Sequence, residues 1–247
     1  MILSIITINY NNVQGLSRTI ESVLAQTWKD YEWIIIDGGS TDGSKELIEK
    51  YQDHFSFWCS EKDGGIYNAM NKGIGHANGE YTIYLNSADI FYSETTLEET
   101  FSVKRTADIL YGDWVKVYDR KIKTVRFPSK VDLYTFYQTN ICQQAMFVRT
   151  ELLREEGFTE SYKIVADWYR WIRSALRGDS FEYLNIKVCK FDTTGVCSNR
   201  SDLCDSESEK MRNEAFPPLI LKSLQRLDAY EKNVFLKFLR FLKLLRI

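Results

Sequence analysis

The 247-residue sequence is poor in the residues that several kinds of catalytic or metal site require. It has only two histidines, His54 and His76, which argues against a histidine metal site and against a Ser-His-Asp triad. Its five cysteines are odd in number and include no C-x-x-C pair, which argues against a zinc site and a disulfide framework and fits a reducing cytoplasm. We therefore expect any catalytic base to be a carboxylate.

Long apolar runs and a secretory leader are missing as well. No uninterrupted apolar stretch reaches the length of a bilayer-spanning helix, and the chain starts without the basic residues of a signal peptide. The formal net charge of −2 predicts no nucleic-acid partner. With only three prolines and 44% hydrophobic residues, the sequence predicts either one large domain or one domain with an extension.

The first 108 residues alternate between strand and helix patterns, which is typical of βαβ units and a mostly parallel α/β sheet. The predicted strands are 2–9, 31–37, 55–59 and 81–85, and the predicted helices are 15–26, 44–52 and 66–76. Beyond residue 108 the pattern indicates a smaller, antiparallel region. Its predicted strands are 109–113, 115–126 and 185–191, its predicted helices are 152–157 and 167–176, and helix is predicted from 206 to the end.

Two polar segments follow strands of the first half. The turn at 37–44 combines acids, glycines and hydroxyl residues, which can contact a ribose or a base and let a ligand approach the backbone. An ordinary turn, with Asp42 or Ser44 capping the next helix, fits the same residues. The segment 61–73 combines an acid, a glycine pair and a helix start. Its Lys72 could offset phosphate charge or be a solvated lysine at a helix end.

No phosphate-binding glycine loop is present, because the sequence contains neither G-x-G-x-x-G after the first strand nor G-x-x-x-x-G-K-[ST]. A bound diphosphate would then need a divalent cation, and Mn²⁺ or Mg²⁺ prefers oxygen ligands. Asp89, just beyond the strand at 81–85, is the candidate metal ligand and could face the same cleft as Asp37. The alternative is a turn or helix-capping role for Asp89.

Four segments in a fixed order carry a family resemblance: 4–11, 35–43, 63–73 and the strand that ends at Asp89. Together they resemble an inverting family 2 glycosyltransferase of the short bacterial type that builds surface polysaccharides. The resemblance covers about the first ninety residues closely and the chain to about residue 196 more loosely. It implies the GT-A fold, with a Rossmann-like nucleotide-binding half at 1–108, an acceptor half at 109–205 and a helical extension at 206–247.

The resemblance also implies roles for individual residues. Asp37 would accept from the base, and Asp89 would hold Mn²⁺ or Mg²⁺ on the diphosphate of a nucleotide-sugar donor. The other implied nucleotide contacts are Thr7, Asn9, Tyr10, Asn11, Ser40, Asp42, Asp63, Lys72 and Ser87. Many relatives carry an acid immediately before the metal ligand, where this chain has Ala88.

The second half would supply the catalytic base, and Asp167 matches the family's acidic base motif. The apolar approach 164–166 favours partial burial, which would raise the pKa of Asp167 and make it a stronger base. A plain helix N-cap is the alternative. Gln144 and Trp168 are expected on the acceptor side. Tyr169 stands where the family often has a second acid.

The sequence therefore predicts a metal-dependent inverting glycosyltransferase. It would move a sugar from a nucleotide-diphosphate donor, for which a UDP-sugar is the first choice, to a saccharide or polyprenyl-linked acceptor. Ala88 and Tyr169 motivate one alternative, a non-catalytic protein that binds nucleotide sugars or glycans on a degenerate GT-A scaffold. A nucleotidyltransferase is a weaker alternative, because the polar residues 9–12 supply no phosphate loop.

The tail at 232–247 has five basic residues and no acid, with apolar residues on one side of a helical wheel. This pattern predicts a basic amphipathic helix that lies on an anionic membrane surface, which would make a cytoplasmic enzyme peripheral to the inner face of the plasma membrane. Packing on the chain's own domain or on a second subunit is the alternative.

Overall fold

A computed structural model of the chain describes residues 1–118, 121–193 and 201–233. Within them the strands form one mixed sheet of nine strands, in the order β3-β2-β1-β4-β8-β6-β9-β5, with β7 paired to β6. The strands are β1 Leu3–Asn9, β2 Tyr31–Asp37, β3 Phe57–Ser60, β4 Tyr81–Tyr84, β5 Ile90–Phe91, β6 Ile109–Tyr118, β7 Lys121–Val125, β8 Met146–Arg149 and β9 Phe181–Asp192.

Helices cover both faces of this sheet. They are α1 Val13–Leu24, α2 Ser44–Lys50, α3 Ile66–Ile74, α4 Thr96–Phe101, α5 Leu133–Gln138, α6 Thr150–Glu155, α7 Ala166–Arg177, α8 Ser201–Ala215 and α9 Pro218–Lys232. Strand β1 shows why two layers form. Its Ile6 and Ile8 join a cluster with α3 and α7, while Leu3 and Ile5 join a cluster with α1 and α2. A strand that is apolar on both faces needs cover on both faces.

Strands β1 to β4 are parallel, as the βαβ pattern predicts. Their register places Asn9 beside Asp37, and Asp37 beside Ser60. The carboxyl ends of β1, β2 and β3 therefore bring three polar side chains into one row. In parallel α/β sheets this edge is where ligands bind.

The second half is mixed, because β8 pairs antiparallel with β4 and with β6, while β6 runs parallel to β9. The predicted break between strands 109–113 and 115–126 is wrong, since β6 is continuous to Tyr118 and residues 121–125 form its antiparallel partner β7. The pattern breaks at Gly112 and Asp113 because the pairing with β9 shifts register there. A Cβ on Gly112 would lie 2.7 Å from the carbonyl oxygen of Ile186.

The described part of the C-terminal region is helical, and α8 and α9 are separated next to Pro217-Pro218. The predicted start of the extension at 206 falls inside α8, which begins at Ser201 and packs against α7. The division into halves and extension stays a prediction. No helix among the described residues is long and apolar enough to cross a membrane. The predicted amphipathic tail lies outside the described residues from 234 onward.

Candidate functional site

Asp37 is the centre of the polar row at the carboxyl edge of the sheet. Its carboxylate is fully buried. Oδ1 accepts from Asn9 Nδ2 at 2.7 Å and from Ser40 Oγ at 2.6 Å. Oδ2 accepts from the Ser40 backbone N–H at 2.9 Å and from Ser60 Oγ at 2.7 Å. Burial alone would raise the pKa of Asp37, but these hydrogen bonds outweigh it and the pKa lies below its usual value.

This saturation changes the interpretation of Asp37. Each of its oxygens already accepts two hydrogen bonds. These contacts fix the strand ends and the turn that begins at Ser40. Asn9 serves the same purpose, although its own Oδ1 is buried and has no hydrogen-bond partner among the residues that the structure describes. The contact of Asp37 with a base stays a prediction.

The loops after β1 and β2 are joined by side chains that the sequence predicted as nucleotide contacts. The Asn11 backbone N–H donates to Ser40 Oγ at 2.7 Å, and Asn11 Oδ1 accepts from the Thr41 backbone N–H at 2.9 Å. Asp42 Oδ2 accepts from the backbone N–H of Val13 at 2.8 Å, across the two loops. Asn11 has a φ of 47°, a conformation that asparagine tolerates. The two loops therefore form one preorganised rim.

Tyr10 and Asp63 form the part of this rim that is open to a ligand. The Tyr10 side chain is 67% exposed, which is unusual for a large aromatic residue. A Cβ on Gly38 would lie 2.8 Å from Asp63 Oδ2 and 3.2 Å from Tyr10 Cδ2, so a larger residue at this position would displace these two side chains. An aromatic ring, a bare backbone and a carboxylate thus meet around Gly38. That combination can stack on a planar base and accept its N–H groups.

Three other predicted nucleotide contacts lie in less favourable positions. Thr7 is fully buried, and its hydroxyl accepts from Trp33 Nε1 at 3.1 Å, so its side chain belongs to the core. Lys72 Nζ lies 2.7 Å from Glu61 Oε1, which makes it a paired lysine in the last turn of α3. Ser87 is half-buried, and its backbone N–H donates to the carbonyl of Ile8. We leave Thr7 out of the proposed nucleotide site.

Asp89 lies in a tight turn beyond β4 and is only 4% exposed. Its Oδ2 accepts from Gln144 Nε2 at 2.9 Å, and its Oδ1 accepts from the Asp192 backbone N–H at 3.0 Å. Burial raises the pKa of Asp89 to about 7, against the lowering effect of these two hydrogen bonds. Its partners show that Gln144, predicted on the acceptor side, lies instead against the candidate metal ligand.

The turn that presents Asp89 is held from the side by Thr19 of α1. The Thr19 hydroxyl donates to the Asp89 carbonyl at 2.8 Å and accepts from the Ala88 backbone N–H at 3.0 Å. Ala88 has a φ of 82°, in the left-handed region that favours glycine and asparagine. A non-glycine residue in that region carries backbone strain, which is concentrated at functional turns in many proteins.

The oxygen groups of this turn fit a divalent cation that is completed by a substrate. Within the described residues, no three His, Cys, Asp or Glu side chains are grouped to hold a metal ion by themselves. However, Asn86 Oδ1 lies in the same turn as the Asp89 carboxylate, where it is buried and has no hydrogen-bond partner in the described ranges of the chain. Mg²⁺ and similar ions are commonly held by one or two carboxylates together with substrate phosphates. Asp89 is the residue that would hold such an ion.

Asp167, the predicted base, lies in the first turn of α7 and is held by two side chains that the sequence analysis missed. Asn140 Nδ2 donates to Asp167 Oδ2 at 2.8 Å, and the Tyr67 hydroxyl lies 3.2 Å from Oδ1. Burial raises the pKa of Asp167, and the hydrogen bonds offset only part of this effect. No local pattern marks Asn140, because its partner is 27 residues away in sequence.

Trp168, predicted on the acceptor side, is a packing residue. Its side chain is 9% exposed, and its indole N–H donates to the carbonyl of Phe136 at 2.6 Å. The guanidinium of Arg212 lies 4.8 Å from the centre of its ring. Trp168 therefore joins α7 to α5 and α8 and does not offer its ring to an acceptor.

The family model described as Glycosyl transferase family 2 matches residues 4–154 of this chain. An uncharacterised glycosyltransferase of Mycobacterium tuberculosis is 36% identical over 208 residues, covering 80% of this chain and 78% of that protein. A PGL/p-HBAD biosynthesis glycosyltransferase of the same organism is 28% identical over 205 residues, covering 79% and 78%.

Solved structures share the fold at low sequence identity. Residues 1–349 of S. aureus TarS, in complex with UDP-GlcNAc, match with a TM-score of 0.71 and 18% identity, over 91% of this chain and 70% of that chain. The mannosyltransferase PcManGT of Pyrobaculum calidifontis, in complex with GDP-Man and Mn²⁺, matches with a TM-score of 0.64 and 16% identity, over 92% and 69%. These likenesses confirm the predicted GT-A fold.

Proposed function

The chain belongs to glycosyltransferase family 2 and is a glycosyltransferase, and we propose that it is metal-dependent and inverts the configuration of the transferred sugar. The proposed donor is a nucleotide diphosphate sugar, most simply a UDP-sugar. The proposed acceptor is a hydroxyl of a saccharide or of a polyprenyl-linked saccharide in surface polysaccharide synthesis. Solved structures of the same fold contain UDP-GlcNAc, or GDP-Man with Mn²⁺, which supports this class of donor.

One observation carries the proposal: a single short segment contacts both candidate catalytic carboxylates. Asn140 donates to Asp167, and Gln144, four residues later, donates to Asp89. Four residues span at most about 14 Å when fully extended. This spacing supports a site in which a donor diphosphate near Asp89 and an acceptor hydroxyl near Asp167 meet across one sugar ring.

The proposed chemistry assigns one step to each side of that sugar. The Asp167 carboxylate accepts the proton of the acceptor hydroxyl while the hydroxyl oxygen forms a bond to the anomeric carbon. The bond from the anomeric carbon to the diphosphate oxygen breaks, and the nucleotide diphosphate leaves with the electron pair. A divalent cation at Asp89 would offset the negative charge that develops on this leaving group. Tyr10, Gly38 and Asp63 are proposed to receive the base.

A donor screen tests this function. The protein is incubated with UDP-glucose, UDP-galactose, UDP-GlcNAc or GDP-mannose, in Mn²⁺, Mg²⁺ or EDTA, with and without lipid-linked acceptors, and released UDP or GDP is measured. We expect release with one donor that requires the metal and is lost in Asp89→Ala. The matched control is Asp30→Ala, which removes an exposed carboxylate that precedes β2, at the opposite edge of the sheet. Release that persists in EDTA would contradict metal dependence.

The second candidate is a non-catalytic nucleotide-sugar or glycan-binding protein. Ala88 and Tyr169 favour it, because each stands where relatives often carry an acid. Calorimetry would then show binding of UDP or a UDP-sugar, while no donor of the panel is transferred or hydrolysed.

Membrane association is proposed separately, from the basic tail at 232–247. Flotation with vesicles that contain phosphatidylglycerol should recover the full chain but not a variant truncated after Asn233. Equal recovery of both proteins would remove the tail from this role.

A further inference from the structure

The Asp167 carboxylate is contacted by two side chains from different parts of the fold. Tyr67 comes from α3, and Asn140 comes from the loop after α5. The Tyr67 hydroxyl also lies 2.5 Å from the carbonyl oxygen of Ile164, which is closer than its 3.2 Å contact with Asp167 Oδ1. A hydroxyl has one proton, so the closer carbonyl takes most of it. Asn140 is therefore the stronger side-chain donor to this carboxylate.

The hydrogen bond to Asp167 fixes the orientation of the Asn140 amide. Its Nδ2 donates to Asp167 Oδ2 at 2.8 Å, while its Oδ1 is buried and has no hydrogen-bond partner among the described residues. Because an ionised carboxylate only accepts, the amide cannot be flipped without losing the bond. A buried acceptor without a partner is unfavourable, so the amide keeps this orientation for its contact with the Asp167 carboxylate.

We propose that Asn140 is a positioning residue for the base Asp167, fixing the carboxylate so that one oxygen faces the acceptor hydroxyl. This inference rests on the proposed function, because it takes Asp167 as the base. Asn140 also begins the segment that ends at Gln144 on Asp89. The same stretch of backbone thus sets the base relative to the proposed diphosphate site, and the amide acts through Asp167 rather than on the substrate.

Replacement variants test this role in the transfer reaction, with the donor and metal found active in the screen. Asn140→Ala removes the donor, and Asn140→Asp replaces it with a like charge of the same size. Positioning of a base contributes up to about 100-fold to a rate, so we expect kcat to fall about 10- to 100-fold while the Kd for UDP stays unchanged. Asn213→Ala, which removes an exposed asparagine from α8, is the matched control with full activity.

The pH profile separates positioning from a structural role. Asp167 works as the ionised form, and the hydrogen bond from Asn140 stabilises that form. We expect the acid limb of kcat/KM to move to higher pH in Asn140→Ala and further in Asn140→Asp. The other charged groups on the surrounding elements, Glu160, Lys163, Glu207 and Arg212, are unchanged in these variants. Tyr67→Phe should move the limb in the same direction by less.

Thermal unfolding supplies the remaining readout. Because Asn140 Oδ1 has no partner within the described part of the chain, we expect Asn140→Ala to shift the Tm by no more than about 2–4 °C. A larger loss of Tm with an unmoved acid limb would overturn the proposal and make Asn140 a structural residue. An unchanged kcat in Asn140→Ala would overturn it as well.

A separate measurement keeps the inference distinct from the function on which it rests. Carboxyl ¹³C titration of Asp167 by NMR, in the wild type and in Asn140→Ala, requires neither donor nor acceptor. A pKa of Asp167 that rises in the variant supports the contact even when no transfer is found, whereas an unchanged pKa refutes it. Full transfer by Asp167→Asn would refute the base assignment itself, independently of Asn140.

Discussion

Asp37 and Asp167 are two desolvated carboxylates, one in each half of the molecule, whose pKa values move in opposite directions. Burial is the largest effect on both. Asp37 receives four hydrogen bonds, from neighbouring strands and its own turn, and they outweigh burial. Asp167 also receives hydrogen bonds, from Asn140, Tyr67 and the start of α7, but there the effect of burial on the pKa prevails. The difference teaches that hydrogen bonds keep Asp37 ionised, whereas the raised pKa of Asp167 lets that carboxylate accept a proton more readily.

The largest expected effect is on transfer, through Asp167→Asn. General base catalysis contributes about 10²- to 10⁴-fold, so we expect kcat to fall by that factor while UDP binding survives. Stability should change little, because the variant loses hydrogen bonds but no longer buries a charge. Urea unfolding and calorimetry with UDP check the two expectations. A variant that unfolds at much lower urea would break the comparison, since Asp167 would then resemble Asp37.

Asp37→Asn should have the opposite outcome. An amide at this position cannot accept all four donors, so we expect a loss of about 2–4 kcal/mol in the free energy of unfolding at pH 7. The folded-state pKa of Asp37 is lowered, so the wild-type advantage is present above the usual pKa of 3.8 and is lost as pH falls through the folded-state value. Equal urea midpoints at pH 7 would refute the structural role.

Tyr10→Ala compares two residues at the same edge of the sheet, because the Tyr10 side chain is exposed whereas that of Asp37 is buried. Stacking of a base on an aromatic ring contributes about 1–3 kcal/mol, so UDP should bind about 5- to 100-fold more weakly. Unfolding should be unaffected, since an exposed ring contributes little to the core. Unaltered UDP affinity in calorimetry would place the base elsewhere.

The smallest expected effect concerns Asp89 and is a pH dependence of the free energy of unfolding in the metal-free protein. Its folded-state pKa of about 7 is raised above the usual 3.8, so its contribution to stability is greatest at low pH and is lost as pH rises through 7. Between pH 6 and pH 8 this loss is about 1.4 kcal/mol. We expect urea unfolding in EDTA to show this slope in the wild type but not in Asp89→Asn. The same slope in both proteins would exclude Asp89 as its source.

Sequence reasoning succeeds in this chain where a pattern is local. Strand β2 has the predicted bounds because its apolar run ends at Asp37, next to two glycines. The prediction divides β6, because the shifted pairing at Gly112 and Asp113 interrupts the alternation of its side chains. A bulge of this kind depends on the partner strand β9, about 70 residues later, which a window on the sequence does not include.

The candidate site shows the same difference between residues marked by a local motif and residues whose partners are distant in sequence. Motif spacing selects Asp89 and Asp167, but it cannot show that Asp37 is saturated by Ser60, since β3 must pair with β2 before the two meet. Asn140 and Asp192 escape notice because their partners lie 27 and 103 residues away. Gln144 is assigned to the acceptor side by analogy, although its amide lies against Asp89.

The strained turn at Ala88 has a consequence for protein engineering. Its φ of 82° is costly for alanine, whereas aspartate adopts this region more readily. Ala88→Asp therefore offers a graft of a second carboxylate that leaves the backbone as it is. Two adjacent carboxylates in a nearly buried turn would repel each other, and a divalent cation would relieve that repulsion. One codon could thus strengthen the proposed cation site and make it easier to empty with acid.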